Sequence, residues 1–291
     1  MKKIRVAIIG SGNIGTDLLI KVQRSEYLTC VLFVGRNLSS PGMAKAINLG
    51  VKVSDESIDG IVKNSDNIDL VFDATSAKDA KYHWEIIEKL GKIVIDMTPA
   101  KLGALCIPAV NLDDIIKEKN INMITCGGQA SIPMAYAIGK SQKNIQYIEV
   151  VSSIASRSAG PATRLNLDEY VDTTEQGIKL FAKVTSAKAI LNLNPAEPCI
   201  DMQTTIFAQV ENPDMKKLEQ EINSMLTKIQ DYVPGYSLLV PPIYENGRIV
   251  IMVKAQGLGD YLPKYAGNLD IINCAAIAVA EKFSKVHNNI L

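Results

Sequence analysis

Apolar positions along the first 125 residues fall into short runs separated by helically spaced segments. Ile4 to Ile9 is a near-continuous branched run broken only by Arg5 and Ala7, as expected of a strand covered on both faces of a parallel sheet. Thr16 to Arg24 continues at a helical spacing, and Leu28 to Val34 returns to a strand pattern. The same alternation predicts a helix over Gly42 to Leu49, a strand from Asp66 to Phe72, an amphipathic helix over Ala80 to Leu90, and strands over Lys92 to Ile95 and Ile121 to Thr125. Strand and helix in turn predict a doubly wound parallel sheet, because each parallel neighbour needs a crossover connection.

Beyond this point the texture changes. Pro133 suits a first helical position, so a helix is predicted from there through Met134 to Lys140. Tyr147 to Ile154 alternates as a half-buried strand, and Ser156 to Arg164 is a polar loop with two arginines. Helices follow over Leu167 to Lys183 and Met215 to Ile229, with strands over Thr204 to Val210 and Arg248 to Ala255. With no second glycine-rich turn, these predict an antiparallel sheet covered by helices. A last helix, Leu269 to Val286, is expected to return to the first domain.

Gly10-Ser11-Gly12-Asn13-Ile14-Gly15 stands on the first strand-to-helix turn, the context that gives a G-x-G-x-x-G pattern its meaning. Gly10 permits the turn, Gly12 lets backbone approach a pyrophosphate, and Gly15 allows close packing of helix on strand. The fold class is therefore α/β: an N-terminal Rossmann-type doubly wound parallel sheet plus an α+β substrate and oligomerisation domain. The domains are read as a dinucleotide-binding part over 1–129, completed by 268–291, and a substrate and subunit-contact part over 130–267. The second strand ends in Gly35-Arg36-Asn37, without the acidic residue that usually holds the ribose 2'-hydroxyl of NAD. Arg36, with Ser39 and Ser40, either tolerates the 2'-phosphate of NADP or is a solvated loop charge.

The candidate chemistry centres on Thr125-Cys126-Gly127-Gly128-Gln129-Ala130-Ser131-Ile132-Pro133. Two glycines after a cysteine bring backbone N–H groups close to whatever the sulfur attacks, and a following helix favours thiolate over thiol. Cys126 is read either as a covalent nucleophile or as one more small buried hydrophobe. Strand ends of a doubly wound sheet line one crevice, which would turn Cys126 toward the cofactor.

Composition narrows the classes. At 47% hydrophobic and 21% charged residues the chain is ordinary globular protein. Its 31 basic and 31 acidic residues cancel, which argues against nucleic acid as a partner. Five scattered cysteines and two histidines support neither a disulfide framework nor a metal site. No run reaches the roughly 18 apolar residues of a membrane span. The first apolar run is too short and too interrupted for a signal peptide, so a cytoplasmic place is expected, with no membrane partner.

Six blocks carry a resemblance over nearly the whole chain. They are Gly10 to Leu18, Phe72-Asp73-Ala74-Thr75-Ser76-Ala77, Asn122 to Ala130, Ser158-Ala159-Gly160-Pro161, Asn194-Pro195-Ala196-Glu197-Pro198 and Tyr261 to Ile271. Together they resemble the acylating acetaldehyde dehydrogenases of aromatic meta-cleavage pathways. The resemblance implies oxidation of acetaldehyde by NAD with coenzyme A, through a thioester on Cys126. It places Ser11, Gly12, Asn13, Ile14, the loop Ser158, Ala159, Gly160, Pro161, Ala162, Thr163, Arg164, Leu165 and Asn166, and also Asn268, at the cofactor. It further implies a homodimer docked to a 4-hydroxy-2-oxovalerate aldolase that supplies the aldehyde.

Two departures qualify that reading. The family's acidic residue proposed to activate the cysteine falls on Thr204, and threonine is no general base at neutral pH. Asp201 lies three residues earlier, an odd offset that points a strand side chain to the opposite face. The segment between Tyr232-Val233-Pro234-Gly235-Tyr236 and Tyr261 is also shorter than the family's usual form. His83 and His287 are read as structural or solvated. Two other functions stay open: a semialdehyde or acyl-phosphate reductase using Arg157 and Arg164, and a cofactor-binding subunit that has lost its chemistry.

Overall fold

The computed structural model describes residues 2–288. Its chain divides into two compact units, one comprising Met1–Cys106, Asn111–Met123 and Asn273–Leu291, the other Ile107–Val110 and Ile124–Ile272. The chain leaves the nucleotide-type unit briefly for Ile107–Val110, leaves it again after Met123, a few residues before the boundary read at 129, and re-enters it at Asn273.

The first unit runs β1 (Ile4–Ile9), α1 (Asn13–Arg24), β2 (Leu28–Val34), α2 (Pro41–Asn48), β3 (Val53–Ser54), α3 (Ile58–Lys63), β4 (Leu70–Asp73), α4 (Ala77–Lys89), β5 (Ile93–Asp96) and β6 (Ala104–Leu105). α5 (Pro108–Ile115) and β7 (Asn120–Asn122) follow, α5 beginning among the residues of the second unit. The seven strands pair in parallel in the order β3-β2-β1-β4-β5-β7-β6. Winding reverses between β1 and β4, the switch point at which open sheets of this kind hold ligands. One core layer gathers Ala7, Ile9, Leu32, Val34, Ile61, Val71 and Val94, all buried. Each large aliphatic among them contributes about 1.5–3 kcal/mol through burial.

The second unit contains α6 (Cys126–Ser141), β8 (Tyr147–Ala155), α7 (Pro161–Leu165), α8 (Leu167–Ala182), β9 (Ala187–Asn194), β10 (Met202–Gln209), α9 (Met215–Gln230), β11 (Tyr236–Glu245) and β12 (Arg248–Ala255). α10 (Gly267–His287) starts here and ends in the first unit. The sheet order is β11-β12-β10-β8-β9. It is mixed rather than antiparallel as expected, because β8 and β9 pair in parallel. The crossover that a parallel pair requires is α8. β9 and β11 escape the sequence pattern for a physical reason: both are edge strands. β9 exposes Lys188 and Asn192, and β11 carries Pro241 and Pro242, which an edge tolerates.

α6, α8 and α9 pack on one sheet face. On the other face the cross-strand register aligns two apolar rows. Ile190, Val151, Met252 and Val240 form the first, interrupted by Thr205, and Phe207, Val250 and Ile243 the apolar part of the second, which ends in Glu149 and Lys188. In the first unit the later part of α10 is fastened as expected: Ser25 Oγ donates to Glu281 at 2.7 Å, Lys282 pairs with Asp113 at 2.7 Å, and Lys285 lies 4.7 Å over the Tyr27 ring. Among the described residues no helix is long and apolar enough to cross a membrane.

Candidate active site

The glycine-rich turn divides its three glycines by role. Gly10 has φ +114°, and a Cβ there would sit 2.4 Å from the Ala74 carbonyl oxygen; a Cβ on Gly15 would sit 1.9 Å from that of Gly10. Neither position admits a side chain. A Cβ on Gly12 would meet nothing within 4 Å, so this exposed glycine borders open space at the N-cap of α1. Thr16 Oγ1 donates to the Gly12 carbonyl at 2.7 Å, and Ser40 Oγ donates to Ser11 Oγ at 3.2 Å. Asn13 and Ile14 are half-buried in the first turn of α1. A twelve-residue helix start without a side-chain cap among the described residues, with room in front of Gly12, fits a pyrophosphate. Arg36 is exposed at the end of β2.

Behind this turn, β4 and β5 end in two buried carboxylates on adjacent strands, Asp73 opposite Asp96. Asp73 pairs with His83 Nδ1 at 2.8 Å, which accounts for His83 as a structural residue. Asp96 accepts from the Thr98 N–H and from Asn122 Nδ2, each at 2.8 Å. Burial, then the Asp73 charge, pushes the Asp96 carboxyl up to about 7.

In the second unit the turn into α6 begins at Ile124, which is fully buried with φ +62°. A β-branched residue in the left-handed region is strained. The predicted strand over Ile121 to Thr125 therefore ends at Asn122, and α6 begins at Cys126 rather than near Pro133. Thr125 decides the start: its backbone is extended and its Oγ1 accepts from the Gly128 N–H at 2.8 Å. This N-cap bond outweighs the positional preference of proline, and Pro133 sits inside the helix. Cys126 is thus in the first helical turn, closer to the N-terminal dipole than the sequence implied.

Around the half-buried Cys126 sulfur stand hydroxyls. Tyr170 Oη, from α8, lies 3.9 Å from Sγ. Tyr170 is only 6% exposed, and a Cβ on Gly127 would collide with its hydroxyl at 2.0 Å, so only glycine leaves that hydroxyl its place. Thr125 Oγ1 and Thr174 Oγ1 are 2.7 Å apart, and Thr174 Oγ1 donates to the Tyr170 carbonyl at 2.7 Å. Ser152 Oγ of β8 faces the same Gly127 position as the Tyr170 hydroxyl and lies 2.9 Å from Thr204 Oγ1 of β10. Burial pushes the Cys126 thiol up to about 11, opposed by Tyr170 and by the N–H groups of Gly127 and Cys126 itself. Helix position alone therefore does not make this a low-pKa cysteine, contrary to expectation. Asp201 is held by Gln256 at 3.2 Å, with Lys254 at 3.9 Å.

The loop after β8 is more ordered than the polar run predicted. Ser158 is buried and donates to the Ala155 carbonyl at 2.8 Å, Ala159 is buried, and a Cβ on Gly160 would face open space. Pro161 opens the short helix that includes Ala162, Thr163, Arg164 and Leu165. Arg164 reaches back to the carbonyls of Ala159 and Ser156 at 3.1 and 3.0 Å, while Arg157 pairs with Glu197. Both arginines that a phosphate or carboxylate substrate would need are thus engaged. Leu165 is 83% exposed, and Asn166 is buried at the N-cap of α8. Asn268 is 1% exposed, and its Oδ1 has no partner among the described residues. An orphaned buried carbonyl of this kind fits a ligand amide.

Tyr170 and Ser152 are absent from the sequence-derived site, and Thr125 stands in its central stretch without a role. Thr125 had a readable signal, a threonine three residues before the Gly128 N–H that it caps. Tyr170 and Ser152 reach the cysteine only through tertiary packing.

Comparison with known proteins follows this geometry. Residues 126–263 match the family model described as prokaryotic acetaldehyde dehydrogenase, dimerisation. Residues 5–118 match that of the semialdehyde dehydrogenase NAD binding domain. An acetaldehyde dehydrogenase of Spirochaeta aurantia is 60% identical over 98% of this chain and 96% of its own. One from Pectobacterium atrosepticum is 57% identical over 98% and 97%. Aspartate semialdehyde dehydrogenase with NADP from Candida albicans superposes with a TM-score of 0.66 at 12% identity, covering all of both chains. That last likeness is one of fold.

Proposed function

The chain belongs to the prokaryotic acetaldehyde dehydrogenase family, and on that premise we propose that it oxidises acetaldehyde, or another short aldehyde, to an acyl thioester on Cys126 and hands the acyl group to coenzyme A. The observation that carries the reading is the placement of Cys126. Its sulfur lies in the first turn of a sixteen-residue helix, with backbone N–H groups and a phenolic hydroxyl at hand. The ionised sulfur would add to the aldehyde carbonyl, and the N–H groups of the helix start would stabilise the oxyanion formed. NAD, when bound, supplies the hydride acceptor. Ser11, Gly12, Asn13 and Ile14 would hold its phosphates, and Asn268 would offer its free carbonyl to an amide. Collapse to the thioester leaves Cys126 acylated until the coenzyme A thiol removes the group.

The engaged states of Arg157 and Arg164 disfavour a substrate that brings its own phosphate or carboxylate. Arg36 is the group a 2'-phosphate would meet, so activity is compared with both nucleotides. Homodimerisation is supported by the match of residues 126–263 to the dimerisation family model and by the largely apolar rows on the sheet face opposite α6, α8 and α9, whose burial against a second copy would be favourable. The aldolase partner rests on the sequence resemblance.

NADH formation from acetaldehyde, NAD and coenzyme A tests the proposal, with phosphate replacing coenzyme A as the control. Cys126→Ala is expected to abolish turnover while NAD affinity stays within about twofold by titration, since the dinucleotide turn does not involve the sulfur. Turnover that survives in Cys126→Ala would end the thioester reading.

A further inference from the structure

Thr204 occupies the place where an activating acid was expected, and the groups acting on the Cys126 thiol are Tyr170 and two backbone amides, none of them a carboxylate or imidazole. The hydroxyls nevertheless line up. Thr204 Oγ1 is 2.9 Å from Ser152 Oγ, Ser152 Oγ and Tyr170 Oη converge on one point, 3.0 and 2.0 Å from where a Cβ on Gly127 would sit, and Tyr170 Oη is 3.9 Å from Cys126 Sγ. All four residues belong to the second unit. We propose that Thr204, Ser152 and Tyr170 form a one-directional chain of hydroxyl donors that ends on Cys126 and stabilises its thiolate, with Tyr170 a catalytic residue and Ser152 and Thr204 positioning residues behind it.

The direction follows from what each group can do. A thiolate accepts only, so Tyr170 must donate to it; the phenol oxygen is then free to accept from Ser152, and Ser152 from Thr204. Burial holds the phenol well above its usual range, with the Cys126 charge acting the same way, so Tyr170 keeps its proton and cannot serve as the base. In the thiol form the S–H instead donates to Tyr170 Oη. Ionisation breaks the S–H bond, delivers the proton to solvent water, and turns the Tyr170 hydroxyl toward sulfur. No electron changes hands in this step. An array of donors does what a nearby base does not: it lowers the free energy of the anion rather than accepting the proton. Gly127 is part of the device, since any side chain there would occupy the position of the Tyr170 hydroxyl.

The inference rests on Cys126 being the nucleophile, and the test separates the two. The full-length protein is treated with iodoacetamide from pH 6.5 to 10, and alkylation is followed on the peptide carrying Cys126, apart from Cys30, Cys106, Cys199 and Cys274. Acetaldehyde turnover is measured alongside. Tyr170→Phe, which keeps the ring, should slow Cys126 alkylation at pH 7.5 about tenfold, the scale of one hydrogen bond to a charged group. It should also move the profile to higher pH. Ser152→Ala, which leaves the ring contacts untouched, should slow it about threefold and shift the profile the same way. Profiles that coincide with wild type in both variants would overturn the proposal, whatever happens to turnover. Full turnover in Cys126→Ala would overturn the functional reading while leaving the alkylation result to stand or fall by itself.

Discussion

A methyl group added at Gly127 meets two opposing effects. Alanine is the better helix former by about 1 kcal/mol, but its Cβ would lie 2.0 Å from Tyr170 Oη and 3.0 Å from Ser152 Oγ. Overpacking of this kind costs about 1–3 kcal/mol. Gly127→Ala is therefore expected to change stability by no more than about 2 kcal/mol in urea unfolding, yet to lower kcat at least tenfold by displacing the hydroxyl from the sulfur. Near-normal kcat would show that the Tyr170 hydroxyl is dispensable. At this scale the sequence was half legible. The proposed nucleophile and its glycines are adjacent in the chain and can be read together. Tyr170 is 44 residues away, and nothing local distinguishes a tyrosine that will meet a thiol from one that fills a core.

α6 shows how a cap and burial override a positional preference. Proline favours the first helical position, and inside a helix it costs about 3 kcal/mol. Pro133 nevertheless lies mid-helix, because Thr125 caps the start and most of α6 is inaccessible to solvent. Tertiary packing supplies what local preference withholds. Thr125→Val, nearly isosteric, removes the bond to the Gly128 N–H and the contact with Thr174. It is expected to lower stability by about 1–2 kcal/mol, read as a shift in the urea midpoint at constant slope; an unchanged midpoint would mean that the cap does not set the helix start. β1, β2 and β12 coincide with their sequence patterns to the residue, since their apolar runs are covered on one or both faces. β9 and β11 do not, since an edge strand need not bury a face.

For the molecule as a whole, the buried carboxyl of Asp96 links folding to pH. Its value rises from an ordinary 3.8 to about 7 on folding. The folded state thus holds a proton that the unfolded chain releases. The stabilisation is complete below about pH 4 and is lost as pH rises toward 7, by as much as ~1.4 kcal/mol per pH unit. The difference in unfolding free energy between wild type and Asp96→Asn isolates this contribution. It should slope across that window and flatten above about pH 8; a flat difference throughout would show that Asp96 ionises normally. The nucleotide-type half of the architecture was legible because each strand and helix follows its neighbour in sequence. The second half was not fully so, because its parallel β8/β9 pair depends on a strand without a clear pattern.

The path of the chain between units has its own consequence. The second unit takes Ile107–Val110 from within a stretch otherwise belonging to the first, and the first takes back Asn273–Leu291 at the end. No single cut, by a protease or by a stop codon, can release either unit whole. A gene truncated after residue 272 loses the closing segment of the nucleotide-type unit while keeping every residue of the other. A gene begun at residue 124 lacks the four-residue loan that the unit carrying Cys126 draws from upstream. Inheritance of this enzyme is indivisible: a shuffled or shortened gene transmits both units or damages at least one.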